Sequence, residues 1–219
     1  MKTRLISVLI ALMLTATFAT AQETGKMSFG IIGGVNFQNL NGKDVFGDKL
    51  ENDMKIGYHI GANVRIPIAP EFYFQPGILF STKGAKDNSN STTYTTNLSY
   101  VEMPLNLVYK GLLGTGYIIL GLGPYFGYGI MGKVKSDDDT NDIEFTNTVE
   151  LTDPLTVPYY KAFDAGGNLF FGYEMANGIS AQMNIQLGMV KINPEYKIIP
   201  DDKSSIKNTG FGISLGYRF

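Results

Sequence analysis

Residues 111–132, "GLLGTGYIILGLGPYFGYGIMG", run for twenty-two positions without a charge. A helix of ~20 apolar residues spans a bilayer, so length alone suggests a membrane helix. Composition opposes it: eight of the twenty-two residues are Gly, and Pro124 sits near the middle. Gly costs about 1 kcal/mol and Pro about 3 kcal/mol relative to Ala in a helix interior. The period decides. Ile118, Leu120, Leu122, Pro124, Phe126, Tyr128 and Ile130 fall on one parity; Tyr117, Ile119, Gly121, Gly123, Tyr125, Gly127 and Gly129 fall on the other. One face is bulky and apolar, the other mostly glycine and tyrosine. Alternation with a period of two belongs to a strand.

The same alternation recurs along the chain. In 99–110, Val101, Met103, Leu105, Leu107 and Tyr109 oppose Glu102, Asn106 and Lys110. In 55–66, Ile56, Tyr58, Ile60, Ala62, Val64 and Ile66 oppose His59, Asn63 and Arg65. Segments 163–174, 179–189 and 210–219 split in the same way, with Asp164, Asn168 and Glu174, then Ser180, Gln182, Asn184 and Gln186, then Ser214 and Arg218 on the polar side. Segments 27–37 and 72–80 alternate less cleanly. The expectation is eight strands of about the ~9–11 residues that a tilted membrane strand needs. A soluble sandwich also alternates, but its polar face meets water and carries Lys, Glu and Thr. Here the polar face is Gly, Asn, Gln, Ser and Tyr, residues suited to filling a narrow interior with hydrogen-bonded side chains. With lipid outside, every backbone group must be paired, so the sheet must close.

The connections point the same way. Those at 67–70, 111–115 and 175–178 are short, whereas those at about 38–54, 82–95, 132–160 and 192–208 are long and polar. Strict alternation of short and long connections is the asymmetry of periplasmic turns and extracellular loops in outer-membrane barrels. The predicted fold is therefore all-β, an eight-stranded antiparallel transmembrane β-barrel. Phe37, Phe72, Phe80, Tyr109, Tyr128, Phe163, Tyr173 and Phe219 are placed to form its interfacial girdles. Segment 143–151 also alternates and reads as an extension of the fifth strand's hairpin rather than as two further strands.

The first residues, "MKTRLISVLIALMLTATFATAQ", have a positive start, an apolar stretch and an A-x-A site, the pattern of a secretory signal peptide. The expected division is a leader at 1–21 and a barrel domain at 22–219. Beyond residue 21 the chain keeps sixteen Lys or Arg and twenty Asp or Glu, a mildly acidic balance that excludes the basic stripe needed for nucleic acid. There is no cysteine, so disulfides and thiolate metal sites are absent.

"SYVEMPLNLVYK" resembles the Y-x-E-x-P-L-x-x-K-Y strand of the outer-membrane β-barrel family that includes the PorT-type proteins. "GYHIGANVRIP", "FYFQPGILFSTKG", "LGLGPYFGYGIMG" and "FDAGGNLFFGYE" match in order along essentially all of the chain beyond the leader. One departure is that Tyr109 precedes Lys110, which turns the lysine inward. The resemblance implies an eight-stranded barrel in the outer membrane of a Bacteroides-type bacterium, with some relatives accessory to protein secretion. The terminal "GYRF", with Tyr217 and Phe219, looks like the aromatic signal read by the barrel-assembly machinery. Expected partners are thus outer-membrane lipid, the assembly machinery and secretion-system subunits, with no cofactor and no metal.

Inward charges fall into two tiers. Arg65, Lys110, Glu174 and Arg218 belong near the periplasmic end, and His59, Glu102 and Asp164 in the outer half. Isolated charges there would be costly, so the reading is a set of buried ion pairs filling a narrow barrel. The alternative is a hydrolase site built on His59, the only histidine, with Glu102 and Asp164. No nucleophile is singled out, since Ser180 and Ser214 lack any signature. Asp137, Asp139 and Asn141 have the first spacing of a calcium loop, but Asp142 stands where Gly is needed and Thr148 where a bidentate Glu is needed. The expectation is a non-enzymatic outer-membrane protein, structural, surface-binding or accessory to secretion, with a narrow channel or ligand-binding barrel as the alternative.

Overall fold

The computed structural model describes residues 26–88, 92–136, 139–154, 156–199 and 201–219. The expected leader at 1–21 and Asp137 lie outside the described residues. Eight long strands form the wall: β1 (Ser28–Lys43), β2 (Lys55–Ala69), β3 (Phe72–Asp87), β4 (Tyr94–Leu113), β5 (Gly116–Lys135), β6 (Phe163–Glu174), β7 (Ile179–Gly188) and β8 (Ser205–Arg218). Each pairs antiparallel with its neighbours in sequence. The ring closes where β8 meets β1, from Gly30 opposite Arg218 to Lys43 opposite Ser205. Closure removes both sheet edges, which a lipid environment requires.

The alternation expected from sequence fixes which side faces out. Ile56, Ile60, Ile78, Leu122, Leu187 and Leu215 are all more than half exposed, part of an apolar belt running round the wall. A protein in water does not leave such a belt uncovered. Aromatic residues edge it. Phe37 stacks on Phe211 at 5.0 Å and Tyr58 lies 5.9 Å from Phe80 toward the outer side. Phe72 lies 5.4 Å from Tyr109, and Tyr217 meets Phe219 edge-on at 4.9 Å, toward the short-turn side.

The turns on that side are tight. Gly114, at φ 63°, and Gly178, at φ 89°, take the left-handed conformation that lets a short hairpin close. On the other side the strands run much further than expected. β4 and β5 are twenty residues each, about twice what a tilted membrane strand needs. The segments assigned to loops at 38–54, 82–95 and 132–160 therefore begin as strand, and the second and third also end as strand. The reason is that polar residues above the membrane still satisfy their backbone through the ladder, as in the pairing of Lys83 with Leu98 and of Lys133 with Asn97.

Above the wall the outer connections fold on one another. Residues Thr140–Asp142 continue the ladder beside β5, whereas 143–151, the segment expected to extend that hairpin, leaves the ladder. Beyond them, Glu144–Phe145 pairs with Tyr159–Tyr160 and Thr148–Val149 with Glu195–Tyr196, both parallel. Leu40, Leu98, Tyr100, Ile143 and Ile192 form a buried cluster beneath this layer, flanked by Phe145 and Tyr160. The connections thus cover the outer mouth with a hydrophobic core of their own.

Candidate functional site in the barrel interior

The interior is organised by glycines on inward positions. Each removes a side chain from one strand, so that larger residues on the two flanking strands can meet across it. Gly127 on β5 lies opposite Glu102 of β4 and Asp164 of β6. Gly34 on β1 lies opposite His59 of β2 and Ser214 of β8. Gly30 lies opposite Asn63 and Arg218, and Gly121 opposite Val108 and Phe170. These four junctions build four layers along the barrel.

The outer layer holds Glu102 and Asp164, as expected, but their partner is Lys83. Its Nζ lies 2.7 Å from Glu102 Oε1 and 3.0 Å from Asp164 Oδ2, and all three side chains are essentially inaccessible. Tyr125 and Asn208 also donate to Asp164 Oδ2, at 3.2 and 2.9 Å, and Gln186 donates to Glu102 Oε2 at 2.9 Å. The ammonium sits 4.2 Å from the Tyr125 ring centre and 5.4 Å from that of Tyr100. This cluster fills the bore. Lys83 was legible in principle, since it continues the inward parity of Gln75 and Ser81, but the expected strand stopped at Phe80.

His59 does not belong to that cluster, which corrects its assignment as an ion-pair candidate. Among the described residues no hydrogen bond or ion pair joins it to a carboxylate. Instead its Nδ1 lies 2.6 Å from Asn36 Oδ1 and its Nε2 2.8 Å from Ser214 Oγ. Asn36 Nδ2 donates to Ser81 Oγ at 3.2 Å, which turns its carbonyl toward the imidazole. That order, amide to imidazole to serine, has the connectivity of an activated nucleophile. Its surroundings do not. Ser214 Oγ also lies 2.9 Å from Asn184 Oδ1, a competing acceptor for the single hydroxyl proton. The cavity beside it measures about 50 Å³ and is lined by amides such as Asn63, Gln75, Asn106 and Gln182. That volume suits a few ordered waters rather than a substrate.

Below the cavity, Val108, Ile119 and Phe170 form an apolar layer, with Tyr73 against it. The inner surface is therefore not uniformly polar. A methyl group at Gly121 would collide with the Phe170 ring, so the glycine and the aromatic residue are one structural choice.

The periplasmic layer unites the four residues expected there. Glu174 receives Arg65 Nη1 at 2.8 Å and Lys110 Nζ at 2.6 Å, with Arg218 Nε at 3.5 Å. Arg65 Nε also donates to Gln75 Oε1 at 3.0 Å, and Arg218 Nη2 to Asn63 Oδ1 at 2.6 Å. The departure at Tyr109 and Lys110 has a structural consequence: the lysine enters this layer and lies 4.0 Å from the Tyr117 ring centre. No group of metal-ligating side chains occurs among the described residues.

A closed antiparallel ring with an apolar exterior, aromatic edges and a filled polar bore defines a transmembrane β-barrel of the outer-membrane class. The chain belongs to the family of the outer membrane protein beta-barrel domain, whose model matches residues 19–193, and it is an outer-membrane protein. Among solved structures it is similar to Ail, the attachment invasion locus protein of Yersinia pestis, in complex with the heparin analogue sucrose octasulfate. That likeness has 12% identity over 89% of this chain and 100% of the other, with a TM-score of 0.42. It is also similar to the outer membrane protein OprG from Pseudomonas aeruginosa, at 12% identity over 90% and 97% of the two chains, with a TM-score of 0.46. No curated protein matches it.

Proposed function

We propose that this protein is a closed, non-enzymatic outer-membrane barrel whose folded outer connections form a binding surface outside the cell. The carrying observation is that the bore is filled at the Lys83, Glu102 and Asp164 layer and covered above it by the cluster around Leu98, Tyr100 and Ile192. A small barrel filled in this way has no conducting path. The same filling keeps any substrate from His59 and Ser214.

What remains accessible on the outer side is the connection layer. Its parallel pairings order the segment that carries Leu151. The bridge between Lys43 and Lys49, with the bond from Lys203 N–H to the Val45 carbonyl, orders the one that carries Phe46. Both side chains are about four-fifths exposed. Exposed large apolar side chains on an ordered frame are suited to anchoring a partner. The reading that remains from the family resemblance is an accessory role in secretion at the periplasmic rim.

The test is crosslinking on intact cells, comparing the wild type with a Phe46→Ser, Leu151→Ser double variant. A specific crosslinked product lost in the variant is the expected result. Identical products, enriched in secretion-system subunits, would move the activity to the periplasmic rim. A fluorophosphonate probe should label no serine; labelling that disappears in Ser214→Ala would overturn the non-enzymatic part of the reading.

A further inference from the structure

The two charged layers are unbalanced in opposite senses. In the outer layer one cation faces two carboxylates. In the periplasmic layer three cations, Arg65, Lys110 and Arg218, face one carboxylate, Glu174. No other carboxylate forms an ion pair with these three among the described residues. Excess charge in a partly buried layer is costly unless a counter-charge reaches it.

The geometry leaves room for that counter-charge. The periplasmic layer floors an open concavity of about 470 Å³, to which Lys26 adds a fourth cation and Tyr73 and Tyr117 supply aromatic walls. Donors remain unused there. Lys110 spends one hydrogen bond on Glu174, and its side chain is about one-fifth exposed. Arg65 donates from Nε and Nη1, leaving Nη2 without a partner among the described residues. Arg218 holds its Nε against Glu174 at 3.5 Å and spends its terminal nitrogens on Ser28, Asn63 and Gln75, so it adds charge rather than free donors. Glu174 draws the three cationic groups together and so sets their spacing before any ligand arrives.

We infer that the periplasmic mouth is a phosphate-binding site. Lys110 and Arg65 supply the donors, Arg218 adds positive charge, and Glu174 is a positioning residue. An excess of two positive charges matches a phosphate group, and guanidinium groups offer donors in the fork geometry that phosphate oxygens accept. A concave cationic site with low-dielectric walls focuses its field on the entering anion. The phosphate arrives either free in the periplasm or on the headgroup of an inner-leaflet lipid. This site lies at the opposite end from the proposed outer binding surface and does not depend on it.

The experiment uses the full barrel in maltoside micelles. Its thermal unfolding is followed by the shift in gel mobility, with inorganic phosphate titrated against chloride at equal ionic strength. A second arm places the protein in phosphatidylcholine vesicles with and without phosphatidylglycerol. Phosphate is expected to raise the unfolding temperature where chloride does not, with an apparent affinity about tenfold weaker in Lys110→Gln, the size of one charge-assisted hydrogen bond. Stabilisation by free phosphate in micelles assigns a soluble anion. Stabilisation by phosphatidylglycerol alone, also weakened in Lys110→Gln, assigns the lipid headgroup. The inference is overturned if the wild type responds to neither, if chloride acts as well as phosphate, or if Lys110→Gln responds like the wild type. The wild-type titration decides even if that variant does not fold.

Discussion

Replacing Lys83 with methionine keeps an unbranched side chain, one atom shorter, and removes the ammonium group with its charge and its donors. In the folded protein this lysine is inaccessible and bridges Glu102 at 2.7 Å and Asp164 at 3.0 Å. Its loss leaves two buried carboxylates without a cation. Breaking a buried pair by removing one partner costs about 3–5 kcal/mol. The remaining donors, Gln186 on Glu102 and Tyr125 with Asn208 on Asp164, keep the figure within that range rather than doubling it. The chain has no tryptophan, so unfolding in urea is best followed by circular dichroism together with the mobility of unheated samples. The expected result is a folded barrel less stable by about 3–5 kcal/mol. Adding Glu102→Gln and Asp164→Asn should restore at least half of the loss, because no uncompensated charge then remains. A change below about 1 kcal/mol for Lys83→Met, typical of exposed pairs, would refute the view that this cluster holds the bore together.

Three further outcomes follow from the same layers. Gly34→Ala puts a methyl group 2.8 Å from His59 Cε1 and against the Ile213 carbonyl, so it should displace the imidazole from Ser214 and lower stability by about 1–3 kcal/mol, measured by the same urea titration. Ile192→Ala empties a fully buried position beneath the outer connections; it should loosen them by about 2–5 kcal/mol and speed protease cleavage within 139–162, while the mobility shift of the barrel persists. In planar bilayers the wild type should be silent; steps from the wild type would contradict a filled bore.

Much of this molecule follows from local chemistry. Period-two alternation in segments such as 55–66 and 99–110 assigns an outward apolar face and an inward polar one, because successive side chains on a strand point to opposite sides. Alternating short and long connections orient the barrel, parity turns Arg65, Lys110, Glu174 and Arg218 inward, and their nearness to the short connections puts them toward one end. Only closure decides which inward residues touch. Glu102 and Asp164 are 62 positions apart in sequence, yet both lie opposite Gly127, and that relation exists only once β4, β5 and β6 are in register. His59 meets Ser214 rather than a carboxylate for the same reason, across Gly34. Lys83 joined the outer cluster because its strand continues above the membrane, where a polar sequence looks like loop but its backbone still bonds to β4. The cover over the outer mouth rests on contacts between connections distant in sequence, such as Ile143 with Ile192, and has no periodic signal of its own. Side-chain direction is a property of the strand, whereas side-chain partnership is a property of the ring, because only the closed ladder sets strands at a common height.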